Sequence, residues 1–303
     1  MDVAAVTIAL THSAPAEAIA AVALACRDGR AAATAALDAL AADATRGRGT
    51  HPCPCVNEAG DGERAPRGWV YEGATAPPPT ARPGPPPVGC ACAPGGCGEE
   101  CPCGRDAAGT NALAPGGVLA RTAPGLVFCG AACACATAEA PCSRSWPLPP
   151  PTSLVKVAGK GWTLRAAAPA RAGAPLASFG GALLPLEEAR AACTQEDAAG
   201  RACFILTARE WVPSGARCVA HARDARSAGG LARFASHACG AGATAVPVVV
   251  RAAGVPWPEV ALVAARGLAA GTEISYSYGK GGGGPPCACG GVGCEGSLPR
   301  EGV

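Results

Sequence analysis

The pattern of apolar and polar positions changes character several times along the chain. Residues 1 to about 45 are Ala-rich, and their spacing predicts two short helices, Ala16–Cys26 and Arg30–Ala42, on either side of Asp28-Gly29. Their apolar residues are mostly Ala, so little burial is on offer there, and an auxiliary helical pair is the plain reading. From His51 to about Pro87 periodicity disappears into a Pro, Gly and Cys-rich, semi-extended stretch that ends in Pro77–Pro79 and Pro85–Pro87. Residues 90–142 hold nine cysteines and little apolar core. From Leu154 onward, short β-like runs alternate with Gly and Pro: Leu154–Val157, Trp162–Arg165, Leu176–Phe179, Cys203–Thr207, Val246–Arg251, Val260–Ala264 and Glu273–Tyr278. One helix is expected at Pro185–Cys193, and Gly281–Gly284 reads as a hinge before a last cysteine group. The expected fold is mostly β. Four regions follow from these shifts: 1–45, 46–150, 151–280 and 281–303, with no internal repeat.

Composition changes this picture in one respect. Of 303 residues 49% are hydrophobic, but Gly (42) and Pro (30) make up nearly a quarter of the chain. Ala contributes roughly another quarter, so the core-forming content is smaller than the percentage suggests. Against that background the rare residues carry the information: three Tyr, four Phe, four His and nineteen Cys. The net charge of +2 gives no strong pull towards nucleic acid, and no direct sequence-specific nucleic-acid binding is expected. No apolar stretch of about 18 residues is free of charge and proline, so no membrane association is expected. Asp2 and Glu17 interrupt any leader-like segment. The cysteines are therefore expected as metal thiolates in a cytosolic or nuclear protein rather than as secreted-type disulfides.

Cys90, Cys92, Cys97, Cys101 and Cys103 form a tight group, followed by Cys129, Cys133, Cys135 and Cys142. A C-x-C pair bridges poorly to itself, whereas its two thiolates can face adjacent ions. Zinc suits such a set, being redox-inert, tetrahedral and well served by sulfur. Three zinc ions need twelve ligand positions, which nine cysteines fill if three of them each bridge two ions. Metal binding would then supply folding energy that this segment lacks. Cys287, Cys289 and Cys294 leave a second tetrahedral site one ligand short, and spacing does not name the fourth. Cys26, Cys53, Cys55, Cys193, Cys203 and Cys218 fit no ligand pattern and default to buried thiols.

The ordered motifs resemble a known family. The nine-cysteine block resembles a pre-SET domain, and Cys287-x-Cys289-x4-Cys294 resembles a post-SET motif. Between them, Gly161-Trp162-Thr163-Leu164-Arg165 is similar to the G-W-G-V-R entry of a SET domain, and Arg233–Cys239 (RFASHAC) to R-F-I-N-H-x-C. Gly271–Gly279 (GTEISYSYG) is similar to G-E-E-L-x-F-D-Y-G, Asp224-Ala225-Arg226 to the D-A-R upstream, and Pro54–Gly62 to the P-x-V-N-x-V-D segment that precedes the cysteines. These matches run from about residue 44 to 298 and resemble the histone lysine methyltransferases that act on lysine 9 of histone H3.

The resemblance implies a knotted β fold with a zinc-cluster pre-SET region and a C-terminal post-SET zinc motif. It implies S-adenosylmethionine as methyl donor, the histone H3 tail as substrate, and a place on chromatin in the nucleus, at the chromosome. It makes Cys239 the fourth ligand beside Cys287, Cys289 and Cys294. It puts Tyr278 at the end of the lysine channel, and Tyr276 where Phe or Tyr sets product number, with Tyr favouring mono- and dimethylation. Gly161, Trp162, Ser236 and His237 fall at cofactor-contacting positions. The chain departs from the pattern at Thr163, Phe179, Ala182 and Ser236, where the family has Gly, Tyr, Glu and Asn. Two readings stay open on the sequence: an active methyltransferase, or a SET protein that binds chromatin or a partner through the same groove without transferring methyl groups.

Overall fold

The computed structural model describes residues 27–73, 75–76, 85–114, 117–137, 142–211, 218–279 and 283–299. Helix α1 (Arg27–Ala42) runs through Asp28-Gly29, where a break between two helices was expected. The expected helix over Ala16–Cys26 lies outside the described residues. Its inward face is Ala32, Ala33 and Ala36, at helical spacing, so this helix buries only methyl groups.

The core is organised around two antiparallel strand pairs. Strands β5 (Thr152–Val157) and β6 (Gly161–Ala166) pair Leu154 with Leu164, both fully buried. The turn between them uses Gly159 at φ 75°, a left-handed conformation that glycine adopts without steric cost. Strand β1 (Cys55–Asn57) adds in parallel to β5, which ties the stretch before the cysteine block to the β domain.

Strands β13 (Ala245–Ala252) and β14 (Glu259–Ala264) form the second pair, with β7 (Pro175–Ser178) on one edge and the short β4 (Val127–Phe128) on the other. Side chains alternate across a strand, and here each face feeds a different core. Val249, Val260, Leu262 and Ala264 enter the main core with Leu154, Leu164 and Ile274. Val248, Val250, Ala261 and Val263 pack instead on Leu113, Leu119, Leu126 and Phe128. Burial on both faces explains why β14 reads as an unbroken apolar run. The cysteine-rich segment, expected to hold little core of its own, shares one with β13 and β14.

A third sheet joins β3 (Thr75–Ala76), β8 (Gly181–Leu184), β10 (Cys218–Asp224) and β9 (Ile205–Trp211) in that order. Helix α2 (Leu186–Ala198) covers it, presenting Ala189, Ala192, Cys193 and Glu196 inward, with Glu187 and Glu188 favourably placed in the first turn. The helix extends beyond the expected Cys193 because polar Thr194, Gln195 and Asp197 continue its outer face.

The feature that positions the site is a short parallel pairing of β12 (Ser236–His237) with β15 (Ser275–Tyr276), Ser236 opposite Ser275 and His237 opposite Tyr276. Ile274 N donates to Leu164 O at 2.8 Å, while Ser236 N donates to Ile274 O at 3.1 Å. The C-terminal segment is thus drawn between β6 and β12. The expected strand Glu273–Tyr278 is regular only over its middle two residues, because its ends turn to make these cross-connections. Beyond it, Gly283–Pro286 forms strand β16 paired with β17 (Ser297–Pro299), so the described part of the expected glycine hinge is paired strand.

Candidate functional site

Tyr276 and Tyr278 come from the same segment, with ring centroids 4.8 Å apart. Tyr276 is buried and Tyr278 half-buried. The Tyr278 hydroxyl donates to Ala235 O at 2.6 Å, and its backbone N–H donates to His237 Nδ1 at 3.2 Å. His237 stacks edge-on against Tyr278 at 5.1 Å and places Nε2 3.1 Å from Cys239 Sγ. Because Nδ1 accepts, the ring proton belongs on Nε2, directed at the cysteine. Burial holds the His237 pKa below its ordinary value, which keeps that neutral tautomer.

Both tyrosines line a cavity of about 480 Å³, closed on other sides by Phe179, Phe204, Arg233 and the β16 segment. Arg233 is buried, with its guanidinium carbon 3.7 Å from the Phe204 ring centroid and 5.5 Å from that of Trp69. It donates to Arg226 O at 2.9 Å and to Ala225 O. Burial pushes its pKa down to about 10, so it remains a cation at neutral pH. Its aromatic setting was not legible from the sequence, since Phe204, Trp69 and Arg233 come from three separate elements.

Ser236 and His237 sit side by side on β12, next to Tyr276. Neither Ser236 nor His237 lines the cavity, and nor do Gly161 and Trp162. The latter two lie at the start of β6, where Trp162 Nε1 donates to Glu63 Oε2 at 3.1 Å. Glu273 connects the two groups: Lys160 Nζ donates to its carboxylate at 2.7 Å, and Ser236 hydrogen-bonds it from the other side. Burial would raise this carboxyl, but those bonds and the nearby cations hold it below the usual range. Sequence reasoning did not single out Glu273; its only signal was membership in the GTEISYSYG motif.

Four thiols, Cys239, Cys287, Cys289 and Cys294, converge with all sulfurs within 4.8 Å of one another. Cys239 Sγ and Cys287 Sγ are 3.8 Å apart. Four thiolates around zinc at about 2.3 Å have sulfurs about 3.8 Å apart by tetrahedral geometry. The donor set and spacing therefore fit zinc, with Cys239 supplying the ligand that spacing left unnamed.

The nine-cysteine block fits by the same measure. Cys90, Cys97 and Cys129 occupy its centre, with Cys90 3.8 Å from each of the other two and those two 4.0 Å apart. Around them Cys92 interacts with Cys101, Cys103 lies 3.7 Å from Cys133, and Cys135 and Cys142 form a metal-sized group with Cys97 and Cys129. Four sulfurs come within metal-binding reach of one another in three overlapping groups, Cys90 with Cys97, Cys101 and Cys129, Cys90 with Cys129, Cys133 and Cys135, and Cys97 with Cys129, Cys135 and Cys142, so Cys90, Cys97 and Cys129 are each shared between groups able to hold zinc.

With this geometry in place, comparison with known proteins is informative. Residues 161–279 match the SET domain model. The histone-lysine N-methyltransferase SUVR3 of Arabidopsis thaliana is 32% identical over 159 residues, 49% of this chain and 45% of that protein. The chain thus spans less than half the length of this curated relative. The structure of KRYPTONITE with mCHH DNA, an H3(1-15) peptide and SAH superposes with a TM-score of 0.65 at 21% identity, covering 85% of this chain and 53% of that one. The methyltransferase domain of human SETMAR gives a TM-score of 0.62 at 22% identity, covering 85% of this chain and 97% of that one. At such identities the structural likeness speaks for the fold. Residues 161–279 are thus similar to a SET domain; a nine-cysteine cluster precedes them, and Cys239 from within them joins Cys287, Cys289 and Cys294 in a four-cysteine site, both groups able to hold zinc.

Proposed function

We propose that this protein is a zinc-stabilised, S-adenosylmethionine-dependent protein-lysine methyltransferase that acts on the histone H3 tail, in chromatin and hence in the nucleus. The observation that carries the reading is the pair Tyr276 and Tyr278 at one cavity, inside the segment that matches the SET domain. The naming of SUVR3 as a histone-lysine methyltransferase and the H3 peptide held by KRYPTONITE support the substrate class.

S-adenosylmethionine, when bound, supplies an electrophilic methyl group on a sulfonium. The chain has to deliver a neutral lysine amine in line with it. Phe179, Phe204 and the two tyrosines give the cavity an apolar lining that disfavours a charged ammonium, and the Arg233 guanidinium in the same wall adds like-charge repulsion. The Tyr278 hydroxyl, with its proton committed to Ala235 O, keeps oxygen lone pairs to accept an N–H of the amine and orient it. The lysine ammonium gives up one proton to solvent before transfer, which frees the lone pair that takes the methyl group, and the product leaves as a methylammonium. Tyr276 limits the space beside the amine, so mono- and dimethyl-lysine are the expected products. Ser236 and His237, with Gly161 and Trp162, would hold the cofactor; Glu273 links the two groups through Ser236 and Lys160.

Of the departures from the family pattern, Thr163 leaves no group unpaired, because its hydroxyl donates to Val155 O at 2.9 Å. Phe179 lines the cavity itself, whereas Ser236 lies beside it on β12. Thermal melting with S-adenosylhomocysteine separates the two readings: an enzyme is stabilised by an amount that grows with the logarithm of ligand concentration above its Kd. A melting curve unmoved at saturating ligand would favour a SET protein that binds chromatin without methyl transfer.

A further inference from the structure

Cys193 and Cys203 lie outside both thiol clusters, and their sulfurs are 2.9 Å apart. Cys193 is on the inward face of α2 and buried, while Cys203 lies in the loop that follows and reaches the cavity of Tyr276 and Tyr278. The separation differs from the 3.7–4.0 Å between neighbouring sulfurs of the zinc-type clusters. Among the described residues no other cysteine, histidine or carboxylate joins the pair into a metal-sized group. A disulfide has a sulfur–sulfur distance of about 2.05 Å, so bond formation needs a movement of under about 1 Å.

The surroundings favour such a link. The pair packs with Ala189, Ala192, Ile205 and Ala222, a small core poor in apolar surface. The connecting segment carries Asp197, Gly200, Arg201 and Ala202 into the cavity wall. A bond between Cys193 and Cys203 would tether that wall to α2.

We propose that Cys193 and Cys203 are a redox modification site, a dithiol that a low-molecular-weight disulfide such as oxidised glutathione converts to an intramolecular disulfide. The half-exposed Cys203 reacts first. Its thiolate attacks one glutathione sulfur, forming a mixed disulfide and expelling one glutathione thiolate. Cys193 then attacks the Cys203 sulfur and releases the second glutathione. The protein loses two hydrogens as one disulfide is reduced to two thiols, and excess reduced glutathione runs the exchange backwards. The pair's chemistry stands without the methyltransferase reading. Only its position beside the reacting tyrosines rests on that reading.

The test uses the zinc-loaded full chain, treated with excess oxidised glutathione, alkylated and digested with trypsin. Cleavage after Arg190, Arg201 and Arg209 leaves Cys193 on peptide 191–201 and Cys203 on peptide 202–209, each with one cysteine. The expected result is that these two peptides become joined, that zinc content is unchanged, and that reduced glutathione separates them. The closed loop raises the melting temperature by about 5 °C. Cys193→Ser is expected to stop at the mixed disulfide, with one glutathione held on Cys203, whereas Cys203→Ser takes up none on Cys193. Separate, alkylated peptides under excess oxidant would overturn the proposal, as would linkage of either cysteine to a cluster cysteine with zinc loss. Methyl transfer that fails in the fully reduced protein would count against the enzymatic reading and leave the pair's chemistry standing.

Discussion

Glu210 offers a quantitative test of how the cysteine-rich region is joined to the β domain. Its buried carboxylate, on β9, accepts two hydrogen bonds from Arg251 on β13, at 2.9 and 2.6 Å. It also accepts the backbone N–H of Gly125, just before β4, and lies 3.5 Å from His221 Nε2 on β10. One side chain thus binds two sheets to the middle of the cysteine-rich segment, between its two groups of cysteines. Glu210→Gln keeps the shape, removes the charge, and leaves the half-buried Arg251 guanidinium uncompensated. Breaking one side of a buried pair costs about 3–5 kcal/mol, and partial solvent access at Arg251 puts this case near the lower figure. At about 2–4 °C per kcal/mol, the variant should melt roughly 6–12 °C below the native protein at neutral pH. Burial would raise the Glu210 pKa, but His221, Arg251 and the Gly125 amide outweigh it and hold the carboxyl well below the usual carboxylate range. A depressed carboxyl contributes stability that is present above its unfolded pKa of about 4.3 and is lost as pH falls through the folded value. The gap between native and variant melting temperatures should therefore be full at pH 7 and shrink below about pH 4. Calorimetry across pH 3–7 on the zinc-loaded proteins measures both effects. A variant that melts within about 1 °C of the native protein at pH 7, or a gap that does not shrink with acid, would refute this account of the junction.

Three further outcomes follow from the site. Metal analysis of the intact chain should find about four zinc ions; Cys129→Ser at a bridging position should lose more than one, and Cys92→Ser no more than one. Tyr276→Phe should shift the products on an H3 peptide towards trimethyl-lysine in a mass spectrum, and trimethylation already dominant in the native protein would contradict the role given to Tyr276. Ser236→Asn restores an amide that both donates and accepts, and calorimetric titration should show S-adenosylhomocysteine binding up to about tenfold tighter; an unchanged affinity would remove Ser236 from the cofactor contacts.

The parts of the fold that were legible in the sequence are those whose burial is continuous. Val246–Arg251, through Val248–Val250, and Val260–Ala264 stand out because successive residues meet apolar neighbours on both faces. Strand β10 was not legible: its buried positions include Ala222 and the fully buried Arg223, whose guanidinium donates to Pro258 O. No apolar alternation marks such a strand. The thiol clusters could be read from spacing because metal geometry constrains sequence locally, but the fourth ligand Cys239 came only with the family motif. Glu273, Arg233 and the Cys193–Cys203 pair depend on contacts between distant segments, or on a helix end whose position the periodicity missed.

The central claim is tested most directly by methyl transfer itself. The zinc-loaded chain, incubated with methyl-labelled S-adenosylmethionine and histone H3, should label a lysine. Tyr278→Phe should lower the rate by about 10²–10³-fold, as expected when one positioned polar group is removed. Its melting temperature should fall by only a few degrees, since one hydrogen bond, to Ala235 O, is lost. Absence of label from a folded, zinc-replete protein, or equal transfer by the Tyr278→Phe variant, would contradict the account.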